Sequence, residues 1–389
     1  MHKLFSLIIL SSIFCSANAQ DFSGINDIIN SAISEKYFPG AQLVVGNDEG
    51  IIYINSYGNF TYEENSGKVT NESLFDLASV TKAVATTTAI MKLYEESKLR
   101  LYDCVSGYIP GFDTNGKGNI KIINLLLHNS GLPAWMPFYT TCKSKDDVLN
   151  EIKNAELKYQ TGTDFLYSDL NMVVLAEIVE IISGYSLDRY CRENIFGPLN
   201  MANTFFNPPE NKIDLCLPTE HDTYWRMRQL QGEVHDETAS ILNGISGNAG
   251  LFSNASDLYK FMRMLLLEGK YEDERFAPPY PIFNELFKKE TVQQFTEKYE
   301  TYDYINTRAL GWDTKQPPIG NYKSQCGDLI SENCFGHTGY TGTSIWCDRD
   351  RKLIIIFLTN RVYPKRGNDG ILKLRPILHD EIIKLFSNN

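Results

Sequence analysis

Ser79-Val80-Thr81-Lys82 places an alcohol and an amine three residues apart, and the Ser-x-x-Lys pattern occurs once in the chain. On a helix the two side chains share a face one turn apart, so the amine reaches the hydroxyl. An amine so placed can take the serine proton and turn an unreactive alcohol into a nucleophile, the first need of an acyl-transferring hydrolase. Leu74-Phe75-Asp76-Leu77-Ala78 leads into the pattern, and Ala83-Val84-Ala85-Thr86-Thr87-Thr88-Ala89-Ile90 follows it. These residues are small or apolar on nearly every face, which predicts a buried helix over 83–99 with Lys82 buried in its first turn. Burial lowers a lysine pKa from its ordinary ~10.4, so the expectation is a lysine poised as a base.

Two more segments carry candidate chemistry. His337-Thr338-Gly339 falls on a predicted strand and Tyr340-Thr341-Gly342 follows. Glycine there lets the backbone come close to a ligand, and the strand edge could pair with an extended substrate. Tyr167-Ser168-Asp169 follows a polar turn, Gln160-Thr161-Gly162-Thr163-Asp164, and precedes a helix that Ser168 or Asp169 would cap. A phenol at that helix mouth can point into a cleft. The remaining histidines read differently. His235-Asp236 has no second ligand pair at metal-binding spacing, so a structural role is expected. His128 precedes Asn129-Ser130-Gly131-Leu132-Pro133 and reads as a helix C-terminal histidine.

These residues need a frame that joins distant segments. Periodicity predicts a helix over 25–37 and two strands, 42–46 and 51–56, around Asn47-Asp48-Glu49-Gly50. Helices are expected over 120–128, 144–152, 171–183, 187–195 and 255–267. The character then changes: 332–339, 343–348 and 352–359 are short segments rich in β-formers, with a turn at Arg349-Asp350-Arg351, and 371–386 is an amphipathic helix. Strands at both ends and helices between predict an α/β fold of the α+β kind. One antiparallel sheet is built from both termini (about 40–57 and 332–360), flanked by helices, with a helical subdomain over about 83–310. Neither repeats nor Gly/Ser linkers divide residues 20–389 into separate domains.

At 389 residues, 43% hydrophobic and 22% charged, the chain can bury a large core. A net charge of −11 without a basic cluster argues against nucleic acid as a partner. Lys3, the apolar stretch 4–14 and Ala17-Asn18-Ala19 form a secretory leader, which gives a signal peptide over 1–19 and a mature start at Gln20. That stretch is too short to span a bilayer comfortably, no other membrane segment is evident, and the expected location is the periplasm or beyond. Of eight cysteines, Cys15 leaves with the leader. Seven remain, an odd number, so at least one stays unpaired; Cys326 and Cys334 are close enough to close a loop, and buried free thiols fit equally. The absence of C-x-x-C speaks against redox or zinc-ribbon chemistry.

The order of the motifs resembles the serine β-lactamase and penicillin-binding-protein superfamily in its class C-like branch: Ser-x-x-Lys early, Tyr-x-Asp about ninety residues later, His-Thr-Gly on a strand near the C-terminus. The stretches 120–133, Pro198-Leu199-Asn200-Met201 with Thr204, 232–239 and 247–253 are similar to further segments of that superfamily, nearest to its periplasmic low-molecular-mass penicillin-binding proteins. The resemblance implies a β-lactamase/transpeptidase-like fold and a covalent acyl-enzyme. Ser79 would be the nucleophile, Lys82 its proton acceptor and Tyr167 the proton shuttle to the leaving group. The Ser79 and Tyr340 N–H groups would form an oxyanion hole, and His337, Thr338 and Gly339 would contact substrate, His337 by binding a carboxylate or polarising Tyr167. No metal or organic cofactor is implied. The implied substrates are D-alanyl peptides of the cell wall, with esters or β-lactams as alternatives at the same site, and a non-catalytic penicillin-binding sensor as a reading of another class. Three residues depart from the pattern. His337 stands where many β-lactamases have lysine, Asp169 where many relatives have asparagine, and Asn248 where the subgroup usually has histidine. A carboxylate at 169 would disfavour anionic substrates or bind amines.

Overall fold

The computed structural model describes residues 20–272, 282–301, 304, 306–317 and 324–387; the expected leader, 1–19, lies outside the described residues. Five strands form one antiparallel sheet. They are β1 (Gly40–Gly46), β2 (Ile51–Gly58), β3 (Cys334–Thr338), β4 (Ser344–Asp348) and β5 (Leu353–Thr359), in the spatial order β3-β4-β5-β1-β2. The two ends of the chain meet where β1 pairs β5, with Ala41 opposite Thr359 and Val44 opposite Ile356. The sheet therefore is assembled from both termini, as the sequence predicts.

Both central strands, β1 and β5, are buried along their whole length. Alternation explains this: successive side chains leave a strand on opposite faces. Leu43, Val45, Ile355 and Phe357 pack on helices α1 (Ser23–Ser34) and the C-terminal Gly370–Leu385, through Ile25, Ile29, Leu378 and Ile382. Val44, Ile354, Ile356 and Leu358 enter a second, larger core on the other face. Helix Ala255–Leu266 lies there and screens the sheet from the helical region.

That region holds Lys82–Thr87 and Thr88–Glu95, Ile122–Leu126, Lys145–Asn154, Asp169–Ser183 and Leu187–Cys191. The expected helix over 83–99 forms but ends earlier, and its first part, Lys82–Thr87, is wound as a π-helix. The Thr88 hydroxyl donates to the Ala83 carbonyl five residues back at 2.8 Å, matching the wider turn. A small sheet not foreseen from the sequence, Phe75–Asp76, Leu251–Ser253 and Phe205–Phe206 with Leu251–Ser253 central, anchors the segment that leads into Ser79. All seven cysteines after the leader are free. Of the two readings left open for Cys326 and Cys334, the free thiols hold and no bridge closes the loop.

Gln42, buried in β1, ties the sheet to the helical region. Its amide nitrogen donates to the Thr70 and Ser73 carbonyls at 2.6 and 3.0 Å, and its oxygen accepts the Ala255 N–H at 2.9 Å. Gln42→Leu keeps the bulk and orphans three backbone groups, so urea unfolding should show a loss of about 2–4 kcal/mol; unchanged stability would show that these bonds carry no net weight.

Candidate active site

Ser79 sits on a strained turn. The chain leaves strand Phe75–Asp76, and Ala78 then takes a left-handed conformation at φ +45°. For a residue with a Cβ this costs about 1–2 kcal/mol. Asp76 holds the turn: one carboxylate oxygen accepts the Ala78 N–H at 2.8 Å, the other the His235 N–H at 2.7 Å. Three successive bonds then start the helix, Val80 N to Leu77 O, Thr81 N to Ala78 O and Lys82 N to Ser79 O. Lys82 is thereby brought back over Ser79, and Nζ donates to Ser79 Oγ at 2.8 Å.

The Lys82 side chain is fully buried, and its other contacts fix its charge. Nζ donates to the Asn248 carbonyl at 2.9 Å and ion-pairs with Asp169 Oδ1 at 2.6 Å. Burial pushes the ammonium pKa down, but the Asp169 carboxylate and the Tyr167 phenol push it up by more, and the balance is upward. The expectation of a lowered lysine pKa is thus reversed, because the sign depends on a partner as well as on burial. Asp169 does not cap its helix. Its carboxylate is spent on Lys82, and the Ser168 hydroxyl donates to Pro133 O at 2.6 Å instead.

Tyr167 completes the contact. Lys82 Nζ is 5.1 Å from its ring centroid, and Tyr167 and Ser79 line the same cavity. The ring is walled in by His128, stacked at 4.5 Å, by the Arg308 guanidinium at 5.5 Å and by His337 at 6.2 Å. Burial raises the phenol pKa; Lys82 lowers it, Asp169 raises it, and the net direction is up. His128 follows the end of helix Ile122–Leu126, as expected of a helix C-terminal histidine, but its ring serves as the floor under Tyr167. Its Nδ1 accepts the Ser168 N–H at 3.0 Å, and burial first, then Arg308, holds it neutral. His337 is neutral too: burial brings its pKa down to about 4. Its Nδ1 donates to the Thr338 carbonyl at 2.9 Å, which leaves Nε2 a buried acceptor without a partner among the described residues. An acceptor suits the polarising of Tyr167 and not the binding of a carboxylate.

The end of β3 is locked onto the Ser79 turn. The Thr341 and Thr343 hydroxyls donate to the Asp76 and Leu77 carbonyls at 2.7 and 3.0 Å. A Cβ on Gly339 would come within 2.4 Å of Leu77 O and 2.1 Å of Thr343 Oγ1, so glycine is required by the protein's own backbone and not by a ligand. This docking sets Tyr340 beside Ser79. Neither the Ser79 nor the Tyr340 backbone N–H has a partner among the described residues. Arg361 steadies Tyr340 by donating to its carbonyl at 2.6 Å, with its guanidinium 4.5 Å from the ring. His235 stacks on the same ring and pairs with Glu220 at 2.9 Å, the structural role the sequence predicts.

A cavity of about 430 Å³ opens between Ser79, Tyr167 and the Thr338–Tyr340 strand end, with Arg308 and Arg375 in its wall. Both guanidiniums are buried, and Arg308 Nε and Nη2 and Arg375 Nε have no partner among the described residues. Unpaired buried guanidinium N–H groups suit a carboxylate. Sequence reasoning missed them, together with the Asn248 carbonyl and the His128 floor. Asn248, expected only as the loss of a histidine, supplies its backbone to Lys82 and its side chain to Asp236 at 3.1 Å.

The family model described as Beta-lactamase matches residues 25–375. An N-acetylmuramyl-L-alanine amidase of Bacillus subtilis (strain 168) is 36% identical over 356 residues, covering 83% of this chain and 77% of that one. A protein of Escherichia coli (strain K12) named "Putative D-alanyl-D-alanine carboxypeptidase" is 34% identical over 359 residues, covering 83% and 79%. Among solved structures, the octameric penicillin-binding protein homologue from Pyrococcus abyssi superposes with a TM-score of 0.69 over 94% of this chain and 77% of that one at 20% identity, a likeness of fold.

Asp169 raises the pKa of both Lys82 and Tyr167, so either base is freed at lower pH without it. In Asp169→Asn the rising limb of the acylation pH profile should move to lower pH, read by stopped-flow with a nitrophenyl ester; a limb at the wild-type pH would show that neither group is the base. Gly339→Ala should cut acylation at least ~100-fold while circular dichroism shows a folded protein, because a displaced strand end misplaces Tyr340.

Proposed function

The chain belongs to the beta-lactamase family, and on that footing we propose a serine amidohydrolase that cleaves an amide bond of peptidoglycan peptides through an acyl-enzyme on Ser79. The contact of Ser79 with Lys82 and the position of Tyr167, beside a cavity whose wall holds two buried guanidiniums with N–H groups left without a partner among the described residues, carries this reading. With the Tyr167–Lys82 pair short of one proton, Ser79 Oγ attacks the carbonyl and its own proton passes into the pair. The carbonyl oxygen takes its charge to the Ser79 and Tyr340 N–H groups. Tyr167 returns a proton to the departing amine, and water later frees Ser79. Thr338 and His337 line the leaving-group side, and a carboxylate on the departing peptide reaches Arg308 and Arg375.

The relatives' names bracket the bond: a D-alanyl-D-alanine peptide in one case, a muramyl-L-alanine amide in the other. The leader over 1–19 sends the enzyme to the periplasm or beyond, where both occur. Esters and β-lactams are secondary substrates of the same machinery. Neutral His337 in place of an ammonium weakens the hold on the β-lactam carboxylate.

Purified enzyme should hydrolyse peptides with a free carboxylate on the leaving group at least ~10-fold faster in kcat/KM than their carboxamides. Ser79→Ala and Lys82→Ala should each lose turnover by ~10³ or more. Equal rates for Ser79→Ala and wild type would remove the nucleophile, and binding without turnover in the wild type would favour the sensor reading.

A further inference from the structure

A chain of four aromatic rings is tied to the active site at both ends, and none of them lines the arginine-walled cavity. It begins at Trp135. The preceding Ala134 carbonyl accepts the Asp169 N–H at 2.9 Å, so the indole is one residue removed from the group that grips Lys82. Ring centroids then follow at 6.4 Å from Trp135 to Tyr139, 5.5 Å from Tyr139 to Trp225 and 6.1 Å from Tyr139 to Tyr224. The far end returns to the site. The Tyr224 hydroxyl donates to Glu237, next in sequence to Asp236, which accepts from the Asn248 side chain.

Trp135 and Tyr224 are 45% and 48% exposed, a large outlay of apolar surface beside a reactive group. The rings are held in place: Arg226 lies 5.0 Å from Trp225 and is bonded to Asp222, and Arg366 lies 5.2 Å from Tyr224 and is paired with Glu220 and Glu237. Fixed rings cost little entropy when a ligand arrives. The wall is apolar on its faces and ends, at Tyr224, on a polar pair, Glu237 and Arg366. A lipid chain or an apolar peptide would cover that pair without adding a hydrogen bond to it. A pyranose has apolar C–H faces for the rings, and hydroxyl and acylamino edges that can add hydrogen bonds to Glu237 and Arg366.

We infer that Trp135, Tyr139, Tyr224 and Trp225 form a saccharide subsite, and that the substrate is a sugar-linked amide whose pyranose lies next to the scissile carbonyl. The inference rests on the amidohydrolase reading and ranks its two bonds. In a muramyl–alanine amide the lactyl ether alone joins the sugar to the scissile carbonyl. In a D-alanyl-D-alanine bond most of the stem peptide intervenes, at up to ~3.3–3.6 Å per residue, so a sugar would fall beyond the wall. The cleft then has a sugar end at the aromatic rings and an anionic-peptide end at Arg308 and Arg375.

The test compares N-acetylmuramoyl-L-alanyl-D-isoglutamine with lactoyl-L-alanyl-D-isoglutamine, which keeps the same amide and lacks the sugar. The wild type should favour the sugar-bearing compound by at least ~10-fold in kcat/KM. Trp135→Ala and Tyr139→Ala should bring that ratio towards one, with Trp135→Phe retaining most of it. Equal rates for both compounds in the wild type would overturn the subsite and leave amide hydrolysis standing. If neither is cleaved, the muramyl-alanine bond is excluded as the reaction, and calorimetry on Ser79→Ala decides the subsite separately. There, a tenfold tighter Kd for the sugar-bearing compound supports it, and equal affinity overturns it.

Discussion

One ammonium buried out of reach of water has to find its acceptors inside the protein, and in this chain that requirement assembles the site. Lys82 takes Ser79 Oγ from its own turn, the Asn248 carbonyl from the loop before the small central strand, and the Asp169 carboxylate from the mouth of the helix Asp169–Ser183. A charge left unpaired at that depth would cost several kcal/mol, so the three segments are held to one point. Asp169 is the consequential member. It holds the Lys82 pKa up against the pull of burial and raises that of Tyr167 as well.

The second constraint is a backbone contact. The end of β3 lies on the carbonyls of Asp76 and Leu77 through Thr341 and Thr343, with room only for glycine at 339. The sheet from the two termini and the turn carrying Ser79 thus share hydrogen bonds, which sets Tyr340 beside Ser79. The whole protein is acidic, yet its cavity wall carries Arg308 and Arg375.

Much of this was legible in the amino-acid order. Three-residue spacing put Lys82 over Ser79, the apolar surroundings told of its burial, and β-forming segments at both ends gave the single sheet. What stayed hidden depends on long-range contact. The sign of the Lys82 shift could not be read from burial alone, because its partner looked like a helix cap. The Asn248 carbonyl is backbone and has no residue-type signal. Arg308 and Arg375 lie in no motif, and His128 looked like the end of a helix because it is one. The π-wound turn at Lys82–Thr87 shares its composition with an ordinary helix, and hydroxyl bonds from Thr86 and Thr88 accompany the difference.

The central claim is a covalent bond to Ser79, and peptide mapping by mass spectrometry tests it most directly. Enzyme quenched with acid during reaction with a penicillin or a nitrophenyl ester should carry the acyl mass on the fragment containing Ser79 and on no other. Steady product release with every fragment unmodified, or an adduct mapped to a different residue, would contradict the account.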